Sequence, residues 1–297
     1  MRGRRLLPTF GEMSATTAPS VEQRQAPGVV ALAVAGRELQ IECERIDADR
    51  ASAPLVVFLH EGLGSLAMWR DYPRRLCAAA GARGLVYSRA GYGQSTPRPA
   101  DEKWPVDFMH RQAHDVLPAL LAQVGIAERV WLFGHSDGAS IALLFAAAFP
   151  ERVAGVIAVA PHIFVEDVSI RSIENARTLY RTTDLRERLA RYHADPDSAF
   201  WGWNDIWLDP AFRTWKIEDR LADIQCPVLA VQGEDDEYGT MVQIEGIAQR
   251  VPHAQLLKLP ACGHSPHRDQ PQALTAAVVS FLRGKAAPSS PLAGIAG

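Results

Sequence analysis

The chain has no long apolar run. Nowhere in its 297 residues does a stretch approach the roughly 20 apolar positions that carry a helix across a bilayer. Its opening, Met1-Arg2-Gly3-Arg4-Arg5-Leu6-Leu7-Pro8, is positively charged. The apolar stretch of roughly 7–15 residues that would make it a secretory leader is missing. Cysteine is scarce as well: Cys43, Cys77, Cys226 and Cys262 are widely scattered, with no Cys-x-x-Cys and no Cys/His cluster at zinc spacing. That pattern argues against a disulfide framework or a metal site and predicts buried free thiols in a reducing, cytoplasmic compartment. Charge of one sign is also lacking. With 31 Lys and Arg against 34 Asp and Glu, a net charge of −3 gives no electrostatic reason to expect nucleic acid or an anionic membrane as partner.

What is present, 47% hydrophobic and 22% charged residues, is ordinary for a soluble globular protein, and the length allows one large α/β domain with an inserted subdomain. The most informative run is Val130-Trp131-Leu132-Phe133-Gly134-His135-Ser136-Asp137-Gly138. An apolar, strand-like segment feeds Gly-x-Ser-x-Gly, and a small-residue helical pattern, Ile141 to Phe149, follows at once. In a nucleophile elbow the serine sits on a sharp strand-to-helix turn, and its hydroxyl projects from the carboxyl edge of a sheet. The flanking positions must be small because two backbones pass close together. A random chain of this length holds about 0.1 such strings, so the context carries the argument.

That context is a βα alternation. Val29–Val34 and Leu39–Ile46 read as a leading antiparallel pair, and Leu55–His60 as a strand covered on both faces. Gly84–Ser88, Val130–Phe133, Val153–Ala160, Val228–Val231 and Gln255–Leu259 bring the count to eight. Helical patterns separate them: one carries Trp69, Tyr72, Leu76 and Ala80 on one side, and Asp107–Val124 should kink at Pro118. Met241–Val251 and Pro271–Leu282 follow. The fold class is therefore α/β, a mostly parallel sheet of about eight strands with helices on both faces. After Pro161 the alternation stops and short helices and loops dense in charge and aromatics take over, which predicts an inserted helical lid. The expected organisation is a disordered lead over 1–27, a core over 28–161 and 221–283, a lid over 162–220 and a flexible tail over 284–297. Met13 offers an alternative start.

A serine hydroxyl needs a base to take its proton, and the base needs a third group to hold its tautomer. Both lie downstream of Ser136. The strand Val228–Val231 runs into Gln232-Gly233-Glu234-Asp235-Asp236-Glu237, and Leu256–Leu259 runs into Pro260-Ala261-Cys262-Gly263-His264-Ser265-Pro266-His267. In a parallel sheet both loops emerge at the same edge as the elbow. The residues alone leave four acids and two histidines as candidates.

In this order, these motifs resemble the α/β-hydrolase superfamily from about residue 28 to 283. His60-Glu61-Gly62-Leu63-Gly64-Ser65 is similar to its His-Gly-Gly-type loop after the third strand, and Ser88-Arg89-Ala90-Gly91-Tyr92-Gly93-Gln94-Ser95 to its Asp-x-x-Gly-x-Gly-x-Ser turn. Two positions depart from the pattern: Glu61 replaces a glycine and Ser88 an aspartate. The resemblance implies Ser136 as nucleophile, His264 rather than His267 as base, and Asp236 ahead of Asp235 as acid. It implies an oxyanion hole from the backbone N–H of Asp137 and of Gly62, or of Leu63 if Glu61 shifts the loop. It also makes His60 a structural bridge, while His135 fills the elbow's variable position. His110, His114, His162, His193 and His253 are read as ordinary surface or core histidines.

The Ser-Asp-Gly elbow further resembles biphenyl-hydrolase-like, valacyclovirase-type members, where the aspartate recognises an amino group. Asp137 then has two readings, a cation anchor or an aspartate favoured at a helix start. Glu61, Trp201, Trp203 and Trp207 are candidate substrate contacts; packing of the lid explains the tryptophans equally well. The implied function is a serine hydrolase acting on a small-molecule ester or thioester, with no metal and no organic cofactor. Carbon–carbon bond hydrolysis, aminopeptidase-like amide cleavage and a non-catalytic ligand-binding protein are the alternatives. Substrate identity and oligomeric state are left open.

Overall fold

A computed structural model describes residues 27–284. The expected lead, the alternative start at Met13 and the tail beyond Gly284 lie outside the described residues. Eight strands form one sheet: β1 (Gly28–Val34), β2 (Arg37–Ile46), β3 (Leu55–Leu59), β4 (Arg83–Tyr87), β5 (Val130–His135), β6 (Val153–Val159), β7 (Val228–Gly233) and β8 (Gln255–Leu259). Their order is β1-β2-β4-β3-β5-β6-β7-β8. β2 pairs antiparallel with β1 and β4; every pairing from β4 to β8 is parallel.

Every residue of β3 and β7 is buried, as expected when helices cover both faces. One apolar layer, with Met109, Leu117, Ile141 and Phe145, packs on one face; a second, with Trp69, Leu76, Leu274 and Phe281, packs on the other. The four cysteines are buried and unpaired.

The chain steps from β3 to β4 on one side, then crosses back to place β5 on the other side of β3. Loops leaving β3 and β5 therefore diverge, opening the crevice where open α/β sheets bind ligands. The elbow and the loop after β3 stand at that crevice.

Two expectations are modified. The segment around Pro118 does not simply kink: a wide π turn, Gln112–Val116, precedes a regular helix, Leu117–Gln123. Proline has no N–H to give the carbonyl four residues back, and a widened turn relieves the clash there. The segment between β6 and β7 also holds more than short helices, since Asp167–Thr182 runs 16 residues beside Leu185–Leu189 and Pro196–Trp207. Its Ile173, Phe200, Trp203, Trp207 and Phe212 belong to the same apolar layer as Phe145. No described helix is long and apolar enough to cross a membrane.

Candidate active site

The elbow is built by close approach. Ser136 has φ 53° and ψ −121°, a strained conformation for a residue with a side chain. A Cβ on Gly134 would lie 2.3 Å from the carbonyl oxygen of Gly138, and one on Gly138 would lie 2.1 Å from that of Leu59. Only glycine fits either place. The turn delivers Ser136 to the start of the helix Asp137–Ala148.

Ser136 lines an open pocket of about 480 Å³ together with Glu61, Gly62, Leu63, His135, Asp137, His162, Ile173, Trp203, Trp207, Tyr238, His264 and Ser265. A larger cleft of about 840 Å³ lies behind Arg89, between the β1–β2 hairpin and the π turn, and lacks the serine. Chemistry rather than size selects the first.

Residues from three strand ends converge there. The Nδ1 of His264 lies 2.9 Å from both carboxylate oxygens of Asp236. Asp236 in turn accepts from the main-chain N–H of Tyr238 (2.7 Å) and Gly239 (3.2 Å) and from the side chain of Gln232 (2.6 Å). Burial opposes its ionisation, but His264 and the Tyr238 N–H outweigh that and hold the Asp236 carboxyl below its usual range. Burial likewise opposes protonation of His264, and Asp236, Glu237 and Glu61 outweigh it, raising its pKa. Asp235 is exposed on the same turn. His267 is buried against Trp69, Tyr72 and His135, and burial drives its pKa down to about 2.

The structure places one histidine differently from the sequence reading. The Oγ of Ser136 lies 3.4 Å from Nε2 of His162 and makes no hydrogen bond to His264. The two imidazoles stand with ring centroids 5.9 Å apart. His162 is not an ordinary core histidine: it follows β6 at the edge that carries the elbow. Its backbone is pinned by Ser140, whose Oγ donates to its carbonyl (2.6 Å) and accepts from its N–H (3.2 Å). Burial and the neighbouring His264 lower its pKa to about 3, so it stays neutral. The signal in the sequence was position alone, three residues past a strand that ends beside the elbow.

Asp137 is fully buried. Trp207 Nε1 donates to its Oδ1 (3.2 Å), and the buried guanidinium of Arg89 stands 3.9 Å from Oδ2. Burial raises its pKa to about 6, with Arg89 and Trp207 opposing. The Glu61 carboxylate meets His135 and Arg268, each at 3.4 Å. A Cβ on Gly62 would lie 2.2 Å from the indole Nε1 of Trp203, and the main-chain N–H groups of Gly62 and Leu63 have no acceptor among the described residues. Trp203 and Trp207 line the pocket, whereas Trp201 lines a separate cleft with Arg98 and Asp205. Two residues along a helix turn about 200°, so Trp201 cannot share the face of Trp203.

The two departures from the family pattern each have a partner. Ser88 Oγ donates to Glu42 (2.7 Å), and the same carboxylate oxygen accepts from Gln94 N–H (3.0 Å), so β2 supplies the acid that the turn itself lacks. His60 ties loops together, accepting from Arg89 N–H (3.0 Å) and contacting the carbonyl of Glu61 (2.7 Å). His193, read as ordinary, accepts from Gly93 N–H (3.0 Å) and donates to the carbonyl of Leu63 (3.1 Å).

A family model described as "Alpha/beta hydrolase family" matches residues 56–278. The chain belongs to the α/β hydrolase family. The human protein named serine hydrolase BPHL is 26% identical over 195 residues, 62% of this chain and 63% of that protein. The chain thus spans just under two thirds of that relative's length. A 2-hydroxy-6-oxo-6-phenylhexa-2,4-dienoate hydrolase of Burkholderia cepacia is 24% identical over 261 residues, 79% of this chain and 89% of the other. In fold, the chain is similar to a thermophilic esterase from Thermogutta terrifontis, with a TM-score of 0.66 and 21% identity over 88% of this chain and 99% of that one.

Proposed function

We propose that this α/β hydrolase is a serine enzyme that cleaves a small carboxylic ester, or a thioester, through an acyl-enzyme. The observation that carries the reading is the Asp236 carboxylate 2.9 Å from Nδ1 of His264, with His264 and Ser136 lining one pocket.

Asp236 fixes the tautomer that leaves Nε2 of His264 free to accept a proton. Substrate binding turns the Ser136 hydroxyl from His162 toward His264; such contacts are commonly long without substrate and tighten in the complex. Oγ then attacks the carbonyl carbon while Nε2 takes its proton. The oxyanion forms between the N–H of Asp137 and that of Gly62 or Leu63. As the tetrahedral intermediate collapses, His264 returns the proton to the departing alcohol or thiol. A water, deprotonated by His264, then releases the acid and restores Ser136. These steps call on no metal or organic cofactor.

Leu63, Ile173, Trp203, Trp207 and Tyr238 offer an apolar bed for a small substrate. The burial of Asp137 against Trp207 and Arg89 favours an uncharged acyl group over an α-amino acyl group. We read 162–220 as the lid, which supplies Trp203 and Trp207. A cytoplasmic location is supported by four buried, unpaired thiols.

The test is turnover of p-nitrophenyl esters, acyl-CoA thioesters, aminoacyl amides and diketones, with Ser136→Ala as control. Ester or thioester turnover lost in the variant supports the reading. Diketone or amide turnover in its place would overturn it in favour of carbon–carbon or amide hydrolysis, and tight binding without turnover in favour of a receptor.

A further inference from the structure

A carboxylate at position 61 is expensive to bury and needs a reason. Glu61 leaves the loop after β3 and reaches two other elements. Its Oε2 is 3.4 Å from Nδ1 of His135 on the elbow, and its Oε1 is 3.4 Å from Arg268, beyond the histidine loop of β8. His135 continues the chain, its Nε2 donating to the main-chain carbonyl of His264 at 2.7 Å. The carbonyl of Glu61 is held too, by Arg89 Nη2 (2.8 Å) and Gly64 N–H (3.0 Å). One residue thus ties the oxyanion loop, the elbow and the base-bearing loop together.

We propose that Glu61 is a positioning residue for His264: acting through His135, its carboxylate fixes the base-bearing loop against the elbow, and its charge supports the imidazolium formed when Ser136 gives up its proton. The inference rests on the serine-hydrolase reading of the pocket. The charged and titratable groups around His264 are Asp236 and Glu237 after β7, Tyr238 against its ring, His162 after β6, His135 and Asp137 on the elbow, His267 beyond its own loop and Glu61 itself. Those around Glu61 are His60, His135, Asp137, His193, His267 and Arg268. Burial opposes the charge of Glu61, and the His135 contact and Arg268 outweigh it, leaving its pKa well below the usual carboxylate range. It is therefore an anion wherever His264 titrates.

The experiment is the rate of Ser136 modification by a fluorophosphonate, read between about pH 5 and pH 8, in the full chain and in Glu61→Gln and Glu61→Ala. Thermal melts of each serve as folding controls. Glutamine keeps the hydrogen-bonding shape and removes the charge. Losing a nearby anion disfavours imidazolium, so the acid limb should move to lower pH by about half a unit to one unit. Alanine also removes the tie, and the plateau rate should fall about 10- to 100-fold. Should Glu61→Ala not fold, the limb in Glu61→Gln decides alone. A limb in Glu61→Gln that superimposes on the parent, or moves upward, overturns the proposal. No labelling of the parent protein would instead remove the serine-hydrolase reading, and this inference with it.

Discussion

The floor of the pocket and its cover are built by different rules. The floor is made of loops that leave β3, β5, β6, β7 and β8, so its side chains are placed by strand ends in fixed register. The cover comes from the segment between β6 and β7, whose helices present Trp203 and Trp207 to the serine because they pack onto the same apolar layer as Phe145. In the floor, a few residues dictate geometry locally. In the cover, position follows from packing across the whole face.

That contrast sets what each region should do when perturbed. The largest effect belongs to the floor: Ser136→Ala should lower turnover by about 10⁴-fold or more while leaving the melting curve unchanged. Asp236→Asn should come next, at about 10⁴-fold in kcat, because the amide favours the wrong tautomer of His264; a loss below tenfold would remove Asp236 from the proposed role. In the cover, Trp207→Ala should appear first as lost stability, about 3–5 kcal/mol in urea unfolding, since the indole is buried and leaves a cavity. Trp201→Ala, outside the pocket and half-buried, should cost about 1 kcal/mol or less and leave kcat/KM unchanged. Equal effects at the two tryptophans would erase the distinction drawn between them.

The subtlest expectation concerns pH. A base must be deprotonated to act, and the carboxylates around His264 raise its pKa above the ordinary histidine value. The kcat/KM of the free enzyme should therefore fall as pH drops through that raised value, in a range where Asp137, pushed up to about 6, also takes up its proton. His162, held neutral near a pKa of about 3, adds no second limb in this range. A kcat/KM that stays level down to about pH 5 would contradict His264 as the base.

The strands, the elbow and the loops bearing Asp236 and His264 were legible in the sequence because their signals are local: apolar runs, glycines at close approaches, and short motifs at strand ends. What was not legible depends on partners far along the chain. Glu42 serves the turn at Ser88 from a neighbouring strand, placed by the pairing of Cys43 with Tyr87. Arg89 meets Asp137 across the crevice, so an aspartate open to two readings is found beside a buried guanidinium. His162 looked ordinary because no motif surrounds it; only the order of β5 beside β6 brings it to the serine.

The central claim is that Ser136 is a nucleophile served by His264. Intact-mass and peptide-mapping measurement after fluorophosphonate treatment tests it most directly. The account predicts one adduct, carried by Ser136, absent in Ser136→Ala and formed far more slowly in His264→Ala than in His162→Ala. No adduct on the parent protein, or one that forms at the same rate without His264, would contradict it.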